Sequence, residues 1–411
     1  MTQQNISVAE ALARILAPLV PVGREVIPLT LAAGRVLAET VVSQVNVPNG
    51  DNSAMDGFGI RYGSVTEGQP LPLAGEVHAA PGVPAPLPAG QAVRIFTGAP
   101  IPEGVDTVVM QEDCTWDGQT VTTHKLPEVG ANIRLQGEDI AVGDAVLSPG
   151  QTLGPAALGV AASCGRGSVR VFRRPRVAIL ASGDELVPAG VLPGPGQVVS
   201  SNSITLAALI QQSGGEVIDL GIAKDDKADL RSRILDALRH ADLLVTSGGV
   251  SVGDYDLVKE VLGEVGFEMN FWKIRMKPGK PLAYGHVGDV PVLGLPGNPV
   301  STLVGGYLFL VPALRKLMGI PESALALPTI RVRLAAPMRK KDGRAHYNRV
   351  RLENRAGAWW AISAGSQGSG VLSAMAAAEA LAILPEAVNE VAQGETVDAV
   401  VLDPAVLGRS A

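Results

Sequence analysis

The sequence predicts a multidomain α/β plus β protein. A central parallel α/β sheet domain is joined by an inserted β-rich domain, a discontinuous N-terminal helical linker domain and a C-terminal β-barrel-like domain. Three observations predict it. The chain has 411 residues, more than one core holds when domains run to roughly 150 residues. Residues 173–322 alternate apolar strand-like runs with helical periodicity, the pattern of a parallel sheet wrapped by helices. The 48 Gly and 30 Pro are scattered without a period and cut the flanking regions into short alternating runs.

Residues 7–19 read as an amphipathic helix, with Ser7 and Glu10 in capping-box positions and Ala9, Leu12, Ile15 and Leu16 on one face. A second helix is expected over residues 29–39. Short runs at 92–96, 107–112 and 120–124, separated by Gly and Pro, predict the β-rich insertion. Residues 154–164 return to helical character but are too few for their own core, so they are expected to pack with the first two helices. The resulting domains are 1–46 with 140–172, then 47–139, 173–322 and 323–411. The α/β domain should run strand 177–180, helix 204–212, strand 216–221, helix 227–240, strand 243–246, helix 257–265, two apolar runs and helix 300–318. The β-like runs 329–334, 348–352, 359–363, 380–384 and 396–402 then form a small barrel or sandwich, packed in part by Trp359 and Trp360.

Composition removes several functions. With 46% hydrophobic and 18% charged residues the chain is not disordered. A net charge of -6 without a basic stretch disfavours nucleic acid. Cys114 and Cys164 stand apart with no CxxC, which excludes a disulfide framework or zinc finger and fits a reducing cytoplasm. The N-terminus lacks a basic n-region, and Glu10 and Arg14 interrupt its apolar residues, so no signal peptide is expected. No apolar run nears the ~20 residues of a bilayer span, and no membrane partner is expected. The histidines are dispersed, with neither HExxH nor a GxSxG elbow in the chain.

The chemistry-bearing residues gather where strands should end. Ser182, Gly183, Asp184 and Glu185 follow the first strand, Asp225 and Asp226 the second, and TSGGVSVGDYD the third. The loop Ser247, Gly248, Gly249, Val250, Ser251 could turn backbone N–H groups onto a phosphate, and equally could be a tight turn. Beside a phosphate, Glu185, Asp225, Asp254 and Asp256 would need an intervening cation, for which Mg²⁺ is the natural candidate. Helix capping is the alternative; it is preferred for Asp226 and compatible with metal binding for Asp256.

In FWKIRMKPGKP, strand alternation would place Lys273, Arg275 and Lys277 on one face, ordinarily a solvated edge. Pro278 and Gly279 instead put Lys280 in a turn. The rigid GLPGNPVS turn, with Pro296 and Pro299, offers amides and Ser301 to an oxyanion. A second anion site beside the first is therefore expected. The segment VPAGVLPGPGQVV reads as a flexible connector.

In their order and spacing, DNSAMDG, TGAP, NIRLQGED, SGDEL, SGGVSVGDYD, KPGKP and LPGNPVS resemble the molybdopterin molybdenumtransferase (MoeA) family, which is related to the gephyrin E domain. The resemblance covers nearly the whole chain. It implies a molybdopterin-binding type of α/β domain in a four-domain protomer of a homodimer, with each site shared between two subunits. It also implies insertion of molybdate into adenylylated molybdopterin, with Mg²⁺-dependent cleavage of the adenylate and release of AMP. The implied partners are a molybdopterin adenylyltransferase and molybdenum-enzyme maturation proteins.

On matching residues, Asp256 would serve the hydrolytic step through Mg²⁺ or by positioning water, with Glu185 and Asp225 supporting the cation. Ser182, Gly183, Gly248, Gly249 and Ser251 would surround phosphate. Lys273, Lys277 and Lys280 would neutralise the pterin phosphate and hold molybdate. Ser301, Arg344 or Arg349, and Ser369 would complete the oxyanion pocket beside Pro296 and Pro299. Asp56, Thr97, Arg134 and Asp139 would enter from the partner subunit. The chain departs from the family in lacking an aromatic before Asp51 and in having Phe58 and Gly59 after the motif. Two alternatives remain: an adenylyltransferase-like enzyme, which would consume ATP rather than release AMP, and a gephyrin-like scaffold or cofactor carrier.

Overall fold

The computed structural model describes residues 3–223, 226–248 and 257–408. The chain forms two compact units, one of Met1–Glu25 with Phe172–Ala411 and one of Val26–Val171.

The larger unit is built on a seven-stranded sheet in the order Gln3–Ile6, Phe267–Ile274, Ala283–Val287, Val290–Leu295, Leu243–Ser247, Arg176–Ser182, Glu216–Ala223. The last four strands are mutually parallel, as the alternating pattern predicts. The sheet is mixed, however, because Ala283–Val287 runs antiparallel to both neighbours. No helix separates it from either one, and a parallel pairing needs a long crossover. Helix Pro299–Leu317 matches the expected 300–318. It is the one helix among the described residues apolar and long enough to cross a membrane, but 72% of it is buried inside the fold, as in a core helix.

Helix Val8–Leu16 begins at Ser7, whose Oγ accepts from the Glu10 N–H at 3.1 Å. The Glu10 carboxylate bonds Arg14 at 2.8 Å, so only half of the capping box forms. The preceding Gln3–Ile6 is drafted as a parallel edge strand beside Phe271–Ile274 and carries the helix into the larger unit. There it packs on helix Val311–Leu317, and Tyr284 Oη donates to the Ile15 carbonyl at 3.2 Å. The helix thus belongs to the larger unit and not, as its sequence predicts, with residues 154–164.

The C-terminal region closes into a barrel of five strands, Thr329–Leu334, Ala345–Arg355, Ala358–Ser363, Ala380–Leu384 and Thr396–Val401. Val332, Leu334, Val350, Ala361, Ala382 and Ala399 fill it, with Trp359 packed against them. The small residues suit a narrow interior.

In the smaller unit, a six-stranded sheet runs Thr107–Met110, Gly57–Ile60, Ala92–Ile95, Pro70–Val77, Thr120–Thr123, Cys114–Trp116. Phe58 is fully buried in its core and tilts against Trp116 at 5.4 Å between ring centroids. A second core joins Ala32, Leu37 and Val41 to Leu147, Leu153, Ala161 and Val169, so segments on either side of the insertion fold together. The helix expected over 29–39 does not form. Only the short 3₁₀ turn Leu29–Leu31 is present, Gly34 turns the chain at φ 72°, and Val36 and Leu37 bridge to Thr152 and Val171. Glycine disfavours a helix by ~1 kcal/mol, and the apolar residues beyond it find β partners instead.

Candidate functional site

Three adjacent parallel strands end at Ser182, Ser247 and Leu295, with Ala181 opposite Ser247 and Ser247 opposite Leu295. The chain leaving these ends bounds a cavity of about 480 Å³, whose wall includes Ser182, Glu185, Asn202, Ser247, Gly248 and Pro296. Gly248 sits at φ 90° with its Cα face 2.9 Å, for a hypothetical Cβ, from the Ser182 carbonyl, so only glycine fits. Its N–H donates to the Leu295 carbonyl at 3.2 Å, so that amide is used within the protein and is not turned to a phosphate. The exposed Glu185 carboxylate folds back over Gly183, within 2.5 Å of where a Cβ would stand.

Asn202 ties this cavity together, a role the sequence reading missed. Its Nδ2 donates to Ser247 Oγ at 2.7 Å and to the Gly297 carbonyl at 2.8 Å, while its buried Oδ1 has no partner among the described residues. The segment read as a flexible connector is held at both ends, since Leu186–Val187 pairs with Val198–Val199. Asp226 is a helix cap, accepting from the Ala228 and Asp229 amides at 2.8 and 3.0 Å. Asp225, Gly249, Ser251, Asp254 and Asp256 lie outside the described residues.

A second cavity, of about 630 Å³, adjoins the first and shares Pro281 and Asn298 with it. Lys277, Lys280, Ser301, Arg339, Arg344, His346 and Ser369 line it. The lysines arrive on the connection that leaves the sheet after Ile274. Its Met276–Lys277 pairs with the barrel, placing Lys277 opposite His346. Among the described residues neither Lys277 nor Lys280 has an ion-pair partner. The Val300 N–H donates to the Ser369 carbonyl at 3.1 Å and fixes the barrel loop against helix Pro299–Gly305.

The expected single face of Lys273, Arg275 and Lys277 does not form. Lys273 adopts φ 65°, which breaks the alternation, and its Nζ lies 3.7 Å from the centroid of Trp272. Arg275 pairs with Glu386 at 2.7 Å. Only the end of the basic run, Lys277 and Lys280, reaches the cavity.

Arg349 is 1% exposed beneath the loop that lines this cavity. Its Nη2 donates to the Ser366 carbonyl at 2.8 Å, and Gln367 brackets its backbone. Nε and Nη1 are buried with no partner among the described residues. Burial pulls this guanidinium below the ordinary arginine value. Arg344 is engaged instead by Asp342, whose Oδ2 accepts from its Nε at 3.0 Å.

Within the smaller unit, the three polar motifs converge. The Ser53 N–H donates to the Ala99 carbonyl at 2.9 Å, the Ala54 N–H to the Asn132 carbonyl at 2.9 Å, and Ile133–Arg134 pairs with Asn52–Ser53. Asp56 Oδ1 accepts from Thr97 N–H at 2.7 Å and Thr97 Oγ1 at 2.8 Å. These bonds, with Arg94 nearby, hold the exposed carboxyl below the usual aspartate range. Arg134 and Asp139 are also exposed.

A polar cavity at the ends of parallel strands, abutting one lined by Lys277, Lys280, Arg339 and Arg344, defines a multidomain α/β protein with a basic pocket between its sheet and its barrel. Residues 6–165 match the family described as MoeA N-terminal region (domain I and II), 178–316 a probable molybdopterin binding domain, and 331–402 MoeA C-terminal region (domain IV). A molybdopterin molybdenumtransferase of Haemophilus influenzae is 40% identical over 92% of this chain and 93% of its own length. One from Nostoc is 38% identical, over 91% and 87%. The solved structure of a molybdopterin biosynthesis MoeA protein from Pyrococcus horikoshii superposes with a TM-score of 0.83 at 30% identity, covering 97% of this chain and 100% of that one. The chain belongs to the molybdopterin molybdenumtransferase family.

Proposed function

We propose that this chain is the enzyme that inserts molybdate into adenylylated molybdopterin during molybdenum cofactor biosynthesis, cleaving the adenylate and releasing AMP. The observation that carries this reading is the cavity lined by Lys277, Lys280, Ser301, Arg344 and Ser369, with Arg349 buried under one of its loops. Lys277, Lys280, Ser301 and Ser369 would hold the oxyanion by charge-assisted hydrogen bonds, with the Arg349 charge behind the loop adding to the positive field. The adjoining cavity of Ser182, Asn202, Ser247 and Gly248 would take the phosphate portion of the pterin nucleotide, so that the two substrates meet at Pro281 and Asn298.

Mg²⁺ is the proposed cofactor, held by Glu185 with Asp225 and Asp256. Hard carboxylate oxygens suit that ion, and Glu185 presents one on the wall of the first cavity. When bound, the ion would supply polarisation of a phosphoryl oxygen. Asp256 would position the attacking water. Lys277 and Lys280 would hold the oxyanion in place for the dithiolene sulfurs.

The protein would act as a cytoplasmic homodimer, Asp56, Thr97, Arg134 and Asp139 completing the partner's site. A molybdopterin adenylyltransferase would deliver its substrate, and maturation proteins of molybdenum enzymes would receive its product. The test is to incubate the protein with adenylylated molybdopterin and Mg²⁺, with and without molybdate, and follow AMP together with activation of a molybdenum-dependent apo-enzyme. Molybdate-stimulated AMP release with active cofactor is expected. Tight binding without AMP release would make the chain a carrier.

A further inference from the structure

Asp342 engages two groups of the basic cavity at once. One oxygen accepts from Arg344 Nε at 3.0 Å, and the other lies 2.8 Å from His346 Nε2. His346 is 9% exposed, lines the cavity and stands opposite Lys277 across the bridge between the sheet connection and the barrel. The charged groups around it are Asp342, Lys340 and Arg344 from the preceding loop, Lys277 and Lys280 from the connection, and Arg339. On the neighbouring strand it meets Leu384, beyond which Glu386 is bound to Arg275. Burial disfavours the imidazolium and Lys277 and Lys340 oppose it, while Asp342 favours it; the balance lies below the ordinary histidine value. An ionised carboxylate can only accept, so the 2.8 Å contact places a ring proton on Nε2, directed to Asp342.

We propose that His346 is a proton-linked binding residue of this cavity: a tetrahedral dianion of the molybdate class binds with uptake of one proton by its imidazole, and Asp342 is the residue that positions the ring. The inference rests on assigning this cavity to the oxyanion. A dianion brings two negative charges beside a ring that already has a carboxylate partner, and both then favour the charged form. His346 is the lining group that can match its charge to the ligand.

The test is calorimetric titration of the full chain with sodium molybdate at pH 7.5 in imidazole and in Tris, cationic buffers that do not compete for an oxyanion site. The expected result is a binding heat that differs between the buffers by the equivalent of about half to one proton taken up. Affinity should also fall by up to about tenfold per pH unit between pH 6.5 and 8.5. His346→Gln should retain weaker binding with no proton uptake. Should that variant not fold, the imidazole resonances of the unmodified chain decide, since one of five histidines should become protonated on adding molybdate. Binding without proton uptake, or uptake that persists in His346→Gln, overturns the inference and leaves the cavity assignment standing. Absence of molybdate binding removes the assignment and the inference together.

Discussion

The Asn202 amide donates to Ser247 Oγ at 2.7 Å, linking the helix that follows the first parallel strand of the α/β domain to the end of its neighbour. The same nitrogen reaches the Gly297 carbonyl at 2.8 Å, so one side chain sets the spacing of three loops. Asn202→Ala should lower unfolding free energy by about 1–3 kcal/mol, through loss of both bonds and stranding of buried partners. Denaturant titration checks this. An unchanged midpoint would mean the loops are held by other contacts.

Arg349 sets folding against function. Replacing it with Met removes one bond to Ser366 and two unpaired buried donors, so the melting temperature should stay level or rise. Molybdate-dependent AMP release should fall at least about tenfold, the loss expected when a charge-assisted bond of 1.5 kcal/mol or more disappears. A marked drop in melting temperature would show that the guanidinium is structural.

The two ends of the basic run separate in the same way. Lys277→Ala should raise the molybdate concentration for half-maximal rate severalfold, the effect shrinking in high salt. Lys273→Ala should leave that curve alone and cost about 0.5–1 kcal/mol of stability through its contact with Trp272. Equal saturation curves for the two variants would undo the distinction.

Asp56 gives a prediction in pH. Its folded carboxyl lies below the unfolded value, so its stabilising contribution is present above about pH 4 and is lost as pH falls through the folded value. Thr97→Val removes the hydroxyl bond and should move the carboxyl titration upward, as followed by the Asp56 side-chain carbon resonance. A titration identical to that of the parent chain would assign the depression to the Thr97 amide and Arg94 alone.

Much of this site was legible in the chain because turn chemistry is local. Pro278 with Gly279, and Pro296 with Pro299, announced turns carrying Lys280 and Ser301, and both residues line the second cavity. Asn202, Asp342 and His346 gave no comparable signal. Each acquires its role from a partner reached through folding, such as Ser247 or Lys277. The missing 29–39 helix has the same cause, since periodicity there was satisfied by strands from far along the chain. The antiparallel Ala283–Val287 was hidden because an apolar run does not record its direction.

The connection bearing Lys277 and Lys280 is anchored in the sheet at Ile274 and Ala283, while its middle, Met276–Lys277, pairs with the barrel at Ala345 and His346. Neither part owns the basic cavity. Cutting the chain between them would leave Lys277 and Lys280 on an unpaired loop and Arg339 and Arg344 on an orphaned wall. Any hinge between sheet and barrel would act through this short stitch, opening or tightening the ring of positive charge without altering a residue in it.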